Sequence, residues 1–227
     1  KCIFCGECVA MCPTHALGIT VNGVSEIPVI TGKAFPLLTR RMTVNQPVLA
    51  ECPDASYLDR CPSGALSGDV QRDESGAVIG VNNVKLDRAV CYNCTRCMQE
   101  GPAGGFNIVK PYLGRVELDT ALCPAGCQAC ADACPTHAIT YSGERVTVDE
   151  RFCVYCGACQ RVCPVPGAVR SIRTGYLHTA ISSAAWARAL DKLVSYREAA
   201  REYAIKGQRK RHQVVIDALL SGKAPQD

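Results

Sequence analysis

The sequence predicts an α+β fold of small cysteine-bound modules in tandem, built from short helices and β-hairpins and followed by an α-helical tail. Three observations predict it. The 227 residues contain 17 cysteines, the last of them Cys163, and these fall into five segments. Short alternating stretches with turn signals lie between paired segments, as hairpin strands do. Beyond residue 180 cysteine disappears and apolar residues take up helical spacing. A chain of this length can bury one core or several small ones. The cysteine spacing selects several, each organised around an inorganic centre.

The segments repeat one theme. The first is Cys2, Cys5, Cys8 and Cys12-Pro13-Thr14-His15-Ala16. The second is sparse, with Cys52 and then Cys61-Pro62-Ser63-Gly64-Ala65. The third is Cys91, Cys94 and Cys97, with Gly101-Pro102 where a further Cys-Pro is expected. The fourth is Cys123, Cys127, Cys130 and Cys134-Pro135, with one extra residue in its first gap. The fifth is Cys153, Cys156, Cys159 and Cys163-Pro164. Three evenly spaced cysteines and a fourth before proline form the bacterial ferredoxin signature, which binds [4Fe–4S] clusters. Zinc sites use paired Cys-x2-Cys knuckles or mix in histidine, and disulfide scaffolds belong to short secreted chains. A zinc-binding structural module is therefore the alternative from a different class; zinc is colourless, whereas clusters are brown.

A cubane cluster needs four thiolates from different directions. Three come from one loop, and the fourth, in two-cluster ferredoxins, comes from the partner motif. For the last pair this wiring gives one cluster Cys123, Cys127, Cys130 and Cys163, and the other Cys153, Cys156, Cys159 and Cys134. For the second and third segments it gives Cys91, Cys94 and Cys97 the remote ligand Cys61. The companion cluster would need cysteines near 51, 54, 57 and 101, which hold Glu51, Asp54, Tyr57 and Gly101. One cluster is complete and its companion is lost. The first segment supplies Cys2, Cys5 and Cys8; its fourth ligand is Cys52, with Cys12 possible in its place, or a cysteine upstream of Lys1. A rival wiring gives Cys61 to this first cluster and Cys12 to the third segment. On either wiring sixteen of the 17 cysteines serve four [4Fe–4S] clusters.

The expected organisation is a half motif with an insertion over 1–50, a degenerate one-cluster module over 51–110, a complete two-cluster module over 111–180, and the tail over 181–227. Hairpins are expected at Ile139–Val148 and between Gly76 and Asp87. In the tail, Ser182/Ser183 can cap a helix from about Ala184 to Ile205, with Trp186, Leu190 and Leu193 on one face. Gly207 ends it, and a second helix follows over Val214–Leu220. The stripe of Trp186 is expected to dock the chain on a larger enzyme.

The formal net charge of +4 belongs to the cysteine-protonated chain. Each liganded cluster adds about −2, which brings the loaded chain to roughly −4. Basicity is thus no argument for nucleic acid, and no apolar run approaches the roughly 20 residues of a membrane span. The expected setting is cytoplasmic and reducing. His15 and His137 read as turn residues whose rings bond near a cluster. The run Lys206, Arg209, Lys210, Arg211 reads as a solvated face. No phosphate loop, dinucleotide fingerprint or nucleophile elbow is present, so no catalytic site is expected in this chain.

Two further stretches carry a resemblance: Lys110-Pro111-Tyr112-Leu113-Gly114-Arg115-Val116-Glu117, and Arg170 to Arg173 followed by His178-Thr179, Ser182/Ser183, Trp186 and Ala189-Leu190. They resemble the C-terminal end of the polyferredoxin (F) subunit of archaeal formylmethanofuran dehydrogenase, of the tungsten or molybdenum type. The likeness is best over residues 91–193. The family's polyferredoxins carry more clusters, so this chain reads as a shortened, partly degenerate form. The resemblance implies a non-catalytic subunit that carries electrons to or from the catalytic subunits, which reduce carbon dioxide onto methanofuran or run in reverse. Its partners would be those subunits and a soluble ferredoxin or heterodisulfide reductase-type electron partner. The alternative within the class is a polyferredoxin of a hydrogenase or heterodisulfide reductase complex.

Overall fold

The computed structural model describes residues 4–143, 145–181, 183–194 and 213. It divides into two compact units, residues 1–182 and 183–227. The first is a mixed α/β assembly of antiparallel two-stranded ribbons and helices of four or five residues. Such short elements bury little apolar surface themselves, so most of the core lies between ribbons and cysteine loops.

Strands β1 (Thr20–Val21) and β2 (Val24–Ser25) form a small hairpin. Its turn is made by Asn22 and Gly23, both at positive φ (52° and 81°), the Asn-Gly pair that a tight hairpin turn favours. Strand β3 (Met42–Val44) is followed by the hairpin of β4 (Leu66–Arg72) and β5 (Val78–Leu86). Strand β6 (Phe106–Ile108) then returns to pair with β3, Met42 opposite Ile108.

The pattern recurs downstream. Strand β7 (Tyr112–Leu118) is followed by the hairpin of β8 (Ile139–Ser142) and β9 (Arg145–Val148). Strand β10 (Val169–Tyr176) returns to pair with β7, Val169 opposite Leu118 and Tyr176 opposite Tyr112. Each region is thus an inner hairpin enclosed by an outer strand pair. The sequence carries the Ile139–Val148 hairpin plainly; in the middle region the stretch from Gly76 to Asp87 is one strand rather than a hairpin, and its partner is Leu66–Arg72. The outer pairs, whose strands lie about 60 residues apart, meet only in three dimensions. The two stretches that carry the family resemblance, Lys110–Glu117 and Arg170–Arg173, lie on facing strands: Glu117 is opposite Arg170 and Gly114 opposite Arg173.

Residues 42–50, expected within an insertion, belong to the middle core. Helix Gln46–Ala50 starts with Pro47 in its first turn, where a missing N–H costs nothing, and puts Leu49 at 0% exposure. Leu49 shares this core with Met42, Tyr57, Val81, Phe106 and Ile108. The Gln46 side chain fastens the helix to β5, donating to Val84 O at 2.6 Å and accepting from Val84 N–H at 3.1 Å. A separate apolar cluster of Ile139, Val146 and Val169 surrounds Cys130 and Cys159.

In the second unit, helix Ala184–Val194 is described, its first turn closed by Ala187 N–H on Ser183 O at 3.0 Å. Leu190 is buried. The expected continuation to Ile205, the stop at Gly207 and the second helix lie outside the described residues. Among the described residues no helix is long and apolar enough to cross a membrane.

Gly80 marks the closest approach of β5 to helix Gln46–Ala50: a Cβ there would sit 1.8 Å from Ala50 O. Gly80→Ala is expected to force the helix off the ribbon at a cost of about 1–3 kcal/mol. Gly18→Ala, with nothing within 4 Å of the added carbon, is the control. Anaerobic urea unfolding checks both; equal midpoints for the two variants would contradict the packing.

Candidate iron–sulfur sites

Each cysteine loop is shaped by left-handed residues. Phe4, Asn93 and Tyr155, each just before the second cysteine of its motif, have φ of 55°, 55° and 51°. Gly6, Thr95 and Gly157, each two before the third, have φ of 84°, 66° and 83°. Such turns aim successive N–H groups into one concavity that receives negative charge. Asn93 N–H accordingly donates to Cys91 Sγ at 3.4 Å, and Tyr155 N–H to Cys153 Sγ at 3.4 Å. The third cysteine is then the second residue of a short helix, in Glu7–Ala10, Arg96–Glu100 and Ala158–Val162. The fourth motif absorbs its extra residue with Gly126 at φ 71° and arrives at the same place, Cys130 in helix Ala129–Asp132.

The Cys-Pro turns repeat as closely. His15, Gly64 and His137, each three residues past its cysteine, have φ of 52°, 63° and 51°. The hydroxyls of Thr14, Ser63 and Thr136 lie 3.8, 3.7 and 3.7 Å from the thiols of Cys12, Cys61 and Cys134. His15 Nε2 lies 3.2 Å from Cys91 O, beside a cysteine loop rather than on a thiol.

The turns bring remote thiols to the loops. Cys61 faces Cys91, Cys94 and Cys97, and its charge acts on all three. Cys134 faces Cys153, Cys156 and Cys159 in the same way. Cys123, Cys127, Cys130 and Cys163 together line one small cavity with Leu118 and Val169. Cys130 also acts on Cys159, so the last two sets adjoin.

Burial pushes Cys94 up to about 11 and Cys97 up to about 12, and neighbouring thiolates add to the effect. Burial likewise pushes Cys153 up to about 12 and Cys159 up to about 11. Four thiolates crowded into low dielectric are unstable unless a cation takes up their charge. Among the described residues no three His, Cys, Asp or Glu side chains converge on a single metal ion. All-sulfur sets of four around a shared space fit the ligand demands of a cubane cluster, whose iron supplies that cation.

The positions where a companion set would need ligands are filled by ordinary packing. Tyr57 is 1% exposed and meets the Phe106 ring edge-on at 5.4 Å, filling the space with aromatic packing. A Cβ at Gly101 would lie 2.4 Å from Cys97 O, so this backbone admits no cysteine there. The Asp54 carboxylate accepts from Ser56 N–H and Oγ at 2.8 and 2.9 Å. Cys52 is buried in the same core and donates to Asp54 O at 3.3 Å. Those contacts place it in the middle region. Cys12 lies elsewhere, where Arg40 reaches its carbonyl at 3.4 Å and Tyr112 OH at 2.8 Å. Cys2 lies outside the described residues.

Motif reading missed the cations beside the thiols. Arg40 acts on Cys91, Arg96 on Cys94 and Arg173 on Cys156. Lys110 acts with Cys94 and Cys153 alike; its own burial pulls it below the usual lysine range. No spacing rule links these residues to the cysteines they face, because the contacts are tertiary.

The fold and the sites define an iron–sulfur electron carrier. Residues 122–166 match the 4Fe-4S dicluster domain family and residues 1–18 the 4Fe-4S binding domain family. A stretch of 57 residues, 24% of the chain, is 41% identical to an uncharacterized ferredoxin of Methanocaldococcus jannaschii and covers 90% of it. The chain belongs to the ferredoxins. It is also 33% identical over 98 residues to a tetrathionate reductase subunit from Archaeoglobus fulgidus; this spans 38% of the chain and 47% of that protein, about half its length. Among solved structures, a chain of the formate dehydrogenase–heterodisulfide reductase–formylmethanofuran dehydrogenase complex from Methanospirillum hungatei superposes with a TM-score of 0.73 at 26% identity, covering 86% of this chain and 70% of that one.

Crossed grouping makes a specific expectation. Cys163→Ser is expected to damage the centre of Cys123, Cys127 and Cys130, while Cys134→Ser damages that of Cys153, Cys156 and Cys159. EPR of the two reduced variants distinguishes the centres, and loss of the Cys153 centre in Cys163→Ser would contradict the grouping.

Proposed function

We propose that this chain is an electron-transfer polyferredoxin with four [4Fe–4S] clusters that serves as a non-catalytic subunit of an oxidoreductase complex. The convergence of the Cys61, Cys134 and Cys163 thiols on the cysteine loops of other motifs carries the reading. On it, the clusters take Cys61 with Cys91, Cys94 and Cys97; Cys134 with Cys153, Cys156 and Cys159; and Cys163 with Cys123, Cys127 and Cys130. The first takes Cys2, Cys5 and Cys8, with Cys52 or Cys12 as its fourth ligand. Loaded clusters accept and release single electrons. The chain supplies the thiolates, the N–H groups that bond their sulfurs, and the cations beside them.

For the particular complex, we read the chain as a shortened polyferredoxin subunit of formylmethanofuran dehydrogenase. The pairing of β7 with β10 supports this, because it joins the two stretches on which the resemblance rests. Similarity to a chain of the Methanospirillum hungatei assembly supports it too. That assembly also includes a heterodisulfide reductase, so the second reading is a polyferredoxin serving such a reductase. The partners are then the catalytic subunits and a soluble ferredoxin or reductase-type electron partner.

Anaerobic reconstitution is expected to yield about 16 iron and 16 sulfide per chain, as four cubane clusters require. A value near 12 would mean that the first loop lacks its fourth ligand, and zinc in place of iron would reject the reading. Cys52→Ser and Cys12→Ser, compared by iron content, identify the fourth ligand. Purification of the native complex under anaerobic conditions decides between the enzymes: formylmethanofuran dehydrogenase subunits are expected with the chain, and heterodisulfide reductase subunits alone would favour the second reading.

A further inference from the structure

The middle and downstream regions meet at a joint that passes directly between two thiol sets. Thr95 Oγ1, next to Cys94, donates to Arg151 O at 3.1 Å. Arg96 donates to His137 O at 2.9 Å and Thr136 O at 3.2 Å, and lies 4.1 Å from the centre of the Phe152 ring. Lys110 crosses the same joint. Its Nζ donates to Glu150 O at 2.8 Å and Arg151 O at 3.4 Å and stands 5.1 Å from the centre of the Tyr155 ring. Glu150, Arg151 and Tyr155 all flank Cys153. The ammonium thereby interacts with Cys94 of one set and Cys153 of the other.

Cluster potentials respond to nearby charge, to hydrogen bonds on sulfur and to solvent exposure. Reduction adds one negative charge to a cluster, and a cation in a half-buried site favours that state at both of its neighbours. Arg96 and Arg173 each act on the thiols of one set, whereas Lys110 is held against two. Its carbonyl partners fix it there, and the Glu150 and Asp149 carboxylates act on it together with the two thiols.

We propose that Lys110 is a shared potential-setting residue that raises the reduction potentials of both the Cys61/Cys91/Cys94/Cys97 centre and the Cys134/Cys153/Cys156/Cys159 centre, making the joint the place where an electron passes between regions. In that step one centre loses an electron as the other gains it; no bond forms or breaks. The proposal rests on the electron-carrier reading.

The test is an EPR-monitored redox titration of the anaerobically reconstituted full chain, as wild type, Lys110→Gln and Lys110→Arg, with centres assigned in Cys134→Ser and Cys163→Ser backgrounds. Lys110→Gln is expected to keep its iron and to lower the ratio of reduced to oxidised cluster about threefold or more at both centres, at the wild-type midpoint. For a one-electron couple that is a shift of about 28 mV. Lys110→Arg restores both midpoints, and the Cys123 centre is unmoved in every variant. A shift at only one centre, an equal shift at all centres, or unchanged midpoints overturns the proposal. So does a Lys110→Gln chain that fails to hold iron, which would make Lys110 structural. A wild-type chain without the broad cluster absorbance near 400 nm defeats the electron-carrier reading as well, whereas clusters whose potentials ignore Lys110 defeat this proposal alone.

Discussion

Negative charge packed into small, half-dry spaces is the constraint on which the structure depends. Each site asks four thiolates to lie together, yet burial, with neighbouring thiolates adding to it, holds several of these thiols near 11 or 12. The thiolate contribution arises because like charges in low dielectric repel strongly. The chain answers with backbone N–H groups turned inward by left-handed residues and with cations brought in from elsewhere. The remaining charge is left for iron. Folding and cluster binding are then one process, as they are in other small metal domains.

That coupling explains how a chain with such short elements stays together. An isolated ribbon of two short strands is marginal in water. The ribbons around the thiol sets are pinned at cysteine turns: Cys61 and Cys134 lead into β4 and β8, and Cys163 precedes β10. On the proposed wiring, the crossed thiol sets tie the start of each region to its end. The outer pairs β3–β6 and β7–β10 repeat the closure in backbone hydrogen bonds.

The middle region packs apolar side chains where a second ligand set would otherwise stand. Tyr57 and Phe106 form an edge-on pair, an arrangement that contributes about 0.5–1.5 kcal/mol beyond its buried area. Gly101 lets the chain pass close to Cys97 O, and Leu49 and Met42 complete an apolar core from residues ahead of the motif. One half of the region is therefore held by ordinary packing and the other by thiols.

Much of this was legible in the sequence because cluster ligation is local in its first three ligands. Cys-x2-Cys-x2-Cys forces a tight loop whatever surrounds it, and Cys-Pro-Thr-His forces the turn that follows. The Ile139–Val148 hairpin was legible for the same reason, its strands being joined through Gly143, whereas the middle hairpin begins earlier than expected: its first strand, Leu66–Arg72, precedes the expected stretch and its turn lies at Asp73 to Ala77. That Glu51, Asp54, Tyr57 and Gly101 stand where a second ligand set would be could be read by counting. What only the tertiary structure decided is everything that depends on segments far apart in the chain. The pairing of β7 with β10, the place of residues 42–50 in the core and the burial of Cys52 beside Asp54 are of this kind. So is the position of Lys110 between two thiol sets. A lysine before a proline carries no pattern of its own; it becomes significant only because the fold returns Glu150 and Arg151 to meet it.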